Sequence, residues 1–207
     1  MMQSSLFETN PADCTLNLLP KDGCAHYYSG ILSEQKTTQL MNQLKESLAW
    51  ESDRLVMFGK TITTRRQFAW VGEPSCSYTY SGITKSPQAW TPELLMIKAK
   101  LEEISQSEFN SCLLNFYHDG DDGMGWHSDD ERELDVSSPI ASLSLGAKRK
   151  FAFRHKQDKT TISIFLENGS ALIMHAPTQE FWHHALLKTK TIAEPRINLT
   201  FRKIINT

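Results

Sequence analysis

The sequence predicts an α+β fold with helices in the first half and a β core in the C-terminal half. Two stretches with apolar residues at helical spacing come early, and seven short β-rich runs follow from Cys112. Gly, Asp, Pro and charged turns separate those runs, a texture that suits a sandwich, a barrel or a jelly roll.

Taken in order, residues 1–25 read as an extended arm, with Pro11 and Pro20 and little periodicity. A helix is expected over Ser33–Leu48, where Ser33 is the cap and Leu40, Met41, Leu44 and Leu48 share a face. A second starts at "TPELL", with Thr91 as cap and Pro92 in the first helical position, and carries Leu94, Ile97, Leu101 and Ile104. Between them lies a strand-and-turn region rich in Thr, Tyr and Gly, including "YTYSG". The runs "CLLNFYH", "IASLSLG", "KFAFRHK", "TTISIFL", "SALIMH", "HHALLKT" and "RINLTFRKI" then supply the strands. No repeat or low-complexity segment interrupts them, so residues 26–207 read as one domain.

A net charge of -2, from 22 bases and 24 acids, does not announce a polyanion partner. The bases are unevenly placed, however. Arg54, Lys60, Arg65 and Arg66 meet no acid between Arg54 and Val71, and Lys148, Arg149, Lys150, Arg154, Lys156 and Lys159 face a single Asp158. Clusters of this kind contact phosphates, although solvated faces look the same. No apolar run reaches the roughly 20 residues of a membrane helix, and the first twenty residues do not read as a signal peptide. Cys14, Cys24, Cys76 and Cys112 form no C-x-x-C pair, which suits a reducing interior. A cytoplasmic location is expected, or the nucleus in a eukaryote.

The stretch "WHSDDEREL", Trp126 to Leu134, packs a histidine, four carboxylates and an arginine together. A solvated acidic loop is one reading. The other uses strand alternation, which puts i, i+2 and i+4 on one face. His127 and Asp129 then face the same way, and "FWHHALL" offers His183 or His184 as a third ligand. Two histidines and a carboxylate form the facial triad that holds non-haem Fe(II). In "RINLTFR" alternation groups Arg196, Asn198, Thr200 and Arg202, a row suited to carboxylates because the guanidinium fork matches their geometry. Asn115 and Tyr117 share a face in the same way, with a polar outer face as the plain alternative.

The ordered series "NFYHDGDDGMGWHSDDERELDVSSPIASLSLGAKRKFAFRHK", "WHH" and "PRINLTFRKI" resembles the AlkB family of Fe(II)- and 2-oxoglutarate-dependent nucleic-acid dealkylases, in its animal DNA-repair branch. The likeness covers about residues 50–205. It implies a double-stranded β-helix (jelly-roll) core over about 108–205 and a nucleic-acid recognition lid over about 50–90. It further implies iron on His127, Asp129 and His184, the last chosen over His183 by the family pattern Trp, any residue, His. Asn115, Tyr117, Arg196, Thr200 and Arg202 match positions that hold 2-oxoglutarate, with Asn198 in the same row. Asp130 and Glu131 match substrate-side positions, where carboxylates favour a cationic methylated base, while Arg132 and Glu133 are expected to be solvated or structural. "MFGK" and "YTY" match the nucleic-acid contacts. Phe58 would be a wedge filling the gap left by a flipped base, followed by Gly59 and Lys60. Tyr80 would stack on the flipped base, with Tyr78 and Thr79 beside it. For Trp70, packing within the lid is expected. The implied activity is O2-dependent demethylation of 1-methyladenine or 3-methylcytosine in DNA, with release of formaldehyde and succinate, by a monomer off the membrane. An RNA demethylase, a protein hydroxylase and a silent nucleic-acid-binding module are the alternatives.

Overall fold

Along Arg196–Arg202 apolar and polar residues alternate, and the fold sends the two sets to opposite sides of one sheet. The computed structural model describes residues 16–57, 60–80 and 83–205, and for residues 53–57, 60–62, 78–80 and 83–85 the backbone alone. Among these, seven antiparallel strands form the larger sheet, in the order β1 (Cys24–Tyr28), β11 (Ser170–His175), β8 (Ile140–Gly146), β13 (Arg196–Arg202), β6 (Ser111–Tyr117), β3 (Lys60–Gly72) and β2 (Glu51–Met57). A four-stranded sheet faces it, ordered β10 (Thr161–Leu166), β9 (Arg149–His155), β12 (Trp182–Leu186) and β7 (Met124–His127). The short hairpin of β4 (Tyr78–Tyr80) and β5 (Ile83–Lys85) stands apart.

Two cores follow from the alternation. Helices α1 (Glu34–Ser47) and α2 (Pro92–Ser105) cover the outer face of the larger sheet, where Leu44, Leu94 and Leu101 meet Leu143, Leu199 and Phe201. α2 begins as its sequence dictates, with Thr91 Oγ1 accepting from the Leu94 N–H at 3.3 Å. It ends with Gln106 in the left-handed region at φ 54°. The second core fills the space between the sheets with Tyr117, Phe151, Phe153, Leu172, Met174 and Trp182. Two antiparallel layers with helices against one outer face make a jelly roll, as expected.

Every run expected from Cys112 onward is a strand. The early segments differ in where they lie. β2 and β3, from the region expected to be the lid, extend the larger sheet, and β3 pairs with β6 from Gln67↔Phe116 to Gly72↔Ser111. Cys24 and Ala25, at the end of the expected arm, open β1, and Leu19 is buried. Among the described residues no helix is long and apolar enough to cross a membrane.

One consequence governs the site. Ile197, Leu199 and Phe201 go under the helices, so Arg196, Asn198, Thr200 and Arg202 enter the space between the sheets. Polar residues there must be hydrogen-bonded or face a ligand.

Candidate active site

His127 closes β7 and lies directly across from His184 on β12. The His127 Nδ1 sits 2.8 Å from the Gly125 carbonyl. A carbonyl only accepts, so Nδ1 carries a proton and donates to it, leaving Nε2 to face Asp129. That Nε2 lies 3.6 Å from Asp129 Oδ1, and His184 Nε2 lies 3.9 Å from the same oxygen. The donor atoms of the three residues all fall within 4.8 Å of one another.

β7 stops at His127, so alternation does not place Asp129. Two bonds do: Ser128 Oγ donates to the Trp182 carbonyl at 3.1 Å, and the Asp129 N–H donates to Gln179 Oε1 at 3.0 Å. His183 is the cross-strand partner of Arg154 and points to the opposite face from His184, so His184 completes the cluster.

Burial, the largest influence on His184, pushes its pKa down to about 4, leaving a neutral imidazole at physiological pH. Burial works the other way on Asp129, but Arg202 and the two histidines overcome it and hold the carboxyl below its usual range. Arg202 Nη2 donates to Asp129 Oδ2 at 2.8 Å and leaves Oδ1 facing the histidines. Two imidazoles and one carboxylate, gathered on one side of a cavity, suit Fe(II).

The neighbouring row suits an anion. Arg196 is 2% exposed, and its Nη2 donates to Ser144 Oγ and Asn198 Oδ1, both at 2.9 Å. Asn198 passes the chain on to Thr200 Oγ1 at 2.7 Å. Burial lowers the Arg196 pKa to about 10, so the guanidinium stays charged. Among the described residues no carboxylate pairs with it. A buried cation left this way costs free energy until an anion arrives. Tyr117, buried beneath it, has its phenol pushed up by the same desolvation. The histidine–aspartate cluster and this row line one cavity of about 170 Å³.

The other expected residues are placed as follows. Asn115 is buried, and its Oδ1 accepts from Arg66 of β3. Glu131 lines the cavity; Asp130 is exposed, 3.8 Å from Lys156 Nζ; Arg132 and Glu133 are exposed. Trp70 packs in the sheet, with its Nε1 donating to Ser111 Oγ at 2.9 Å. Phe58 and Gly59 lie outside the described residues, as do the side chains of Lys60, Tyr78, Thr79 and Tyr80.

The basic run from Lys148 to Lys159, which could mark either a phosphate contact or a solvated face, is split by the fold. Lys148 pairs with Glu167, and Arg154 stacks over Trp126 at 3.9 Å. Arg149 is fully buried and donates to the carbonyls of Asp119, Gly120, Asp122 and Leu187, clamping the β6–β7 loop. Strand alternation in "RKFAFRH" could have flagged Arg149, which shares a face with Phe151 and Phe153. Gln179 carried no such signal.

Comparison with known proteins places this geometry. Residues 24–202 match the model of the 2OG-Fe(II) oxygenase superfamily. "DNA oxidative demethylase ALKBH2" of Bos taurus is 35% identical over 207 residues, covering 95% of this chain and 74% of that protein. The chain belongs to the AlkB family of 2OG-Fe(II) oxygenases. The ALKBH2 of Homo sapiens is 37% identical over 191 residues, covering 87% of this chain and 73% of that protein. "Alpha-ketoglutarate-dependent dioxygenase alkB homolog 3" of Mus musculus is 38% identical over 187 residues, covering 86% and 65%. The solved structure of OsALKBH1 shares the fold at a TM-score of 0.58 and 19% identity, over 86% of this chain and 96% of that one. As an AlkB-family dioxygenase the chain uses Fe(II), 2-oxoglutarate and O2.

Proposed function

We propose that this protein repairs DNA by oxidative demethylation of ring-methylated bases such as 1-methyladenine and 3-methylcytosine, with the base flipped into the site. The observation that carries this reading is the cluster of His127 with the buried Asp129 and His184, beside the unpaired Arg196 in one cavity. Relatives named DNA oxidative demethylase supply the substrate class.

In this reading His127 Nε2, His184 Nε2 and Asp129 Oδ1 hold the iron. With iron bound, the chemistry supplied is oxidation of the N-methyl group by O2, coupled to conversion of 2-oxoglutarate to succinate and CO2. The hydroxymethyl product collapses to formaldehyde and the repaired base. The chain itself supplies position and charge. Arg196, with Tyr117 and Asn198, takes one carboxylate of the cosubstrate, while Asn115, Thr200 and Arg202 take the end nearer Asp129. Asp130 and Glu131 favour the cationic methylated base once water is excluded. The lid residues Phe58, Gly59, Lys60, Tyr78, Thr79 and Tyr80 grip the strand and the flipped base.

The test is formaldehyde release from oligonucleotides bearing 1-methyladenine or 3-methylcytosine, as single- and double-stranded DNA and as RNA, with Fe(II) and 2-oxoglutarate. Turnover on DNA is expected to exceed that on RNA. Turnover on RNA alone would transfer the reading to an RNA demethylase, and none on either would end it.

A further inference from the structure

We infer that Gln179 is a positioning residue for the metal-binding carboxylate of Asp129. The inference rests on the reading of His127, Asp129 and His184 as a metal site. Both histidines sit in paired strands, so the β12–β7 ladder fixes them relative to each other. Asp129 has no such support, because β7 ends two residues before it. Its backbone N–H has one acceptor, Gln179 Oε1, at 3.0 Å.

Gln179 is itself held on three sides. It lies on the four-residue helix α3 (Thr178–Phe181), which leads directly into β12 and thus into His184. Its neighbour Thr178 is buried, accepting from the Cys24 N–H at 2.9 Å and donating to the Cys24 carbonyl at 3.1 Å. The Gln179 carbonyl accepts from Lys156 Nζ at 2.8 Å, and its Nε2 points to Met174 Sδ at 3.5 Å. A thioether accepts weakly, so the strong contact of this amide is the one with Asp129. The bond therefore ties the segment carrying one metal donor to the turn that positions another.

A general packing role is separable from this one. Gln179 and Asp129 both border a second cavity, about 450 Å³, which Arg202 also lines. Water there can satisfy the Asp129 N–H when the amide is removed, so stability changes little. A mobile water does not hold the backbone in place, so metal geometry suffers. Partners that orient a metal ligand from behind typically matter by about 10–100-fold in metal affinity.

The experiment titrates the metal-free full chain with Co(II) alone, following the metal's visible absorbance, beside a thermal melt. Gln179→Leu keeps the bulk and removes the acceptor; Gln179→Glu keeps an acceptor oxygen at the same reach. Gln179→Leu is expected to raise the Co(II) Kd about tenfold or more while the metal-free melting temperature hardly moves. Gln179→Glu is expected to bind Co(II) at least as tightly as the wild type. The succinate-to-formaldehyde ratio should also rise in Gln179→Leu, because a displaced centre spends cosubstrate without reaching the methyl group. An unchanged Kd in Gln179→Leu would overturn the proposal, as would equal losses in both variants. If Gln179→Leu fails to fold, Gln179→Asn decides, since its amide is one methylene too short. Weakened Co(II) binding there supports the role, and wild-type affinity removes it. A wild-type chain that binds no Co(II) would instead sink the metal-site reading itself.

Discussion

The small sheet and the large sheet approach the same cavity with opposite chemistry. The small sheet brings His127 and His184, and burial keeps His184 a neutral donor; the large sheet brings Arg196, whose use lies in staying charged. Burial acts on His184 and Arg196 in the same direction, disfavouring the cation of each. The outcomes diverge because the starting points differ. An imidazole lowered to about 4 is a free lone pair at neutral pH, whereas a guanidinium lowered to about 10 is still a cation. Burial beside one cavity therefore prepares a metal site and an anion site together.

The largest effect is expected on β12, where the neighbouring histidines His183 and His184 face opposite sides of the sheet. His184→Ala should abolish Co(II) binding and turnover, a loss beyond roughly a hundredfold, since even a ligand's supporting partner is worth about 10–100-fold. His183→Ala should stay within about threefold of wild type, because it touches the Arg154 face. Metal titration of both variants checks this, and the reverse result would mean the strand is turned over.

On the large sheet, Arg196→Met removes the cation but keeps an apolar stem. The KM for 2-oxoglutarate should rise roughly thirtyfold or more, as when one partner of a buried charge pair is truncated. The ligand-free protein should melt within about 3 °C of wild type or higher, because an unpaired buried charge has been relieved. A large fall in melting temperature with an unchanged KM would make Arg196 structural.

The smallest effect concerns desolvation of an imidazole away from the cavity floor. His175 packs edge-on to His26 at 5.6 Å between ring centroids, and burial first, then His26, lower its pKa below 6.5. With the folded pKa below the unfolded one, the unfolded chain takes up this proton first. Stability is complete above the unfolded value and declines as pH falls below it. Melts from pH 7.5 to 5 should show a shallower decline in His175→Asn. Parallel curves would mean that His175 titrates alike in both states.

Much of this was legible in the residues. Seven of the eight strands from β6 onward (all but β7), the two long helices, and the grouping of Arg196, Asn198, Thr200 and Arg202 follow from periodicity and turn residues. These are local properties, since a period of two or of 3.6 states which residues share a face. The choice of His184 needed the register, because His183 and His184 differ by one step and a step exchanges faces. The inward direction of the polar row needed the helices, whose placement on the other face claimed Ile197, Leu199 and Phe201.

What periodicity could not reach are contacts between distant segments that carry no repeating signal. Arg149 stands in a basic run, yet the folded chain buries it among four backbone carbonyls. Gln179 is an ordinary amide in a short turn, fifty residues from the Asp129 backbone that it holds. Face and element type are set by near neighbours along the chain and so are written in it directly. Which buried N–H meets which acceptor depends on how all the elements pack, and that was settled only when the two sheets closed around the cavity.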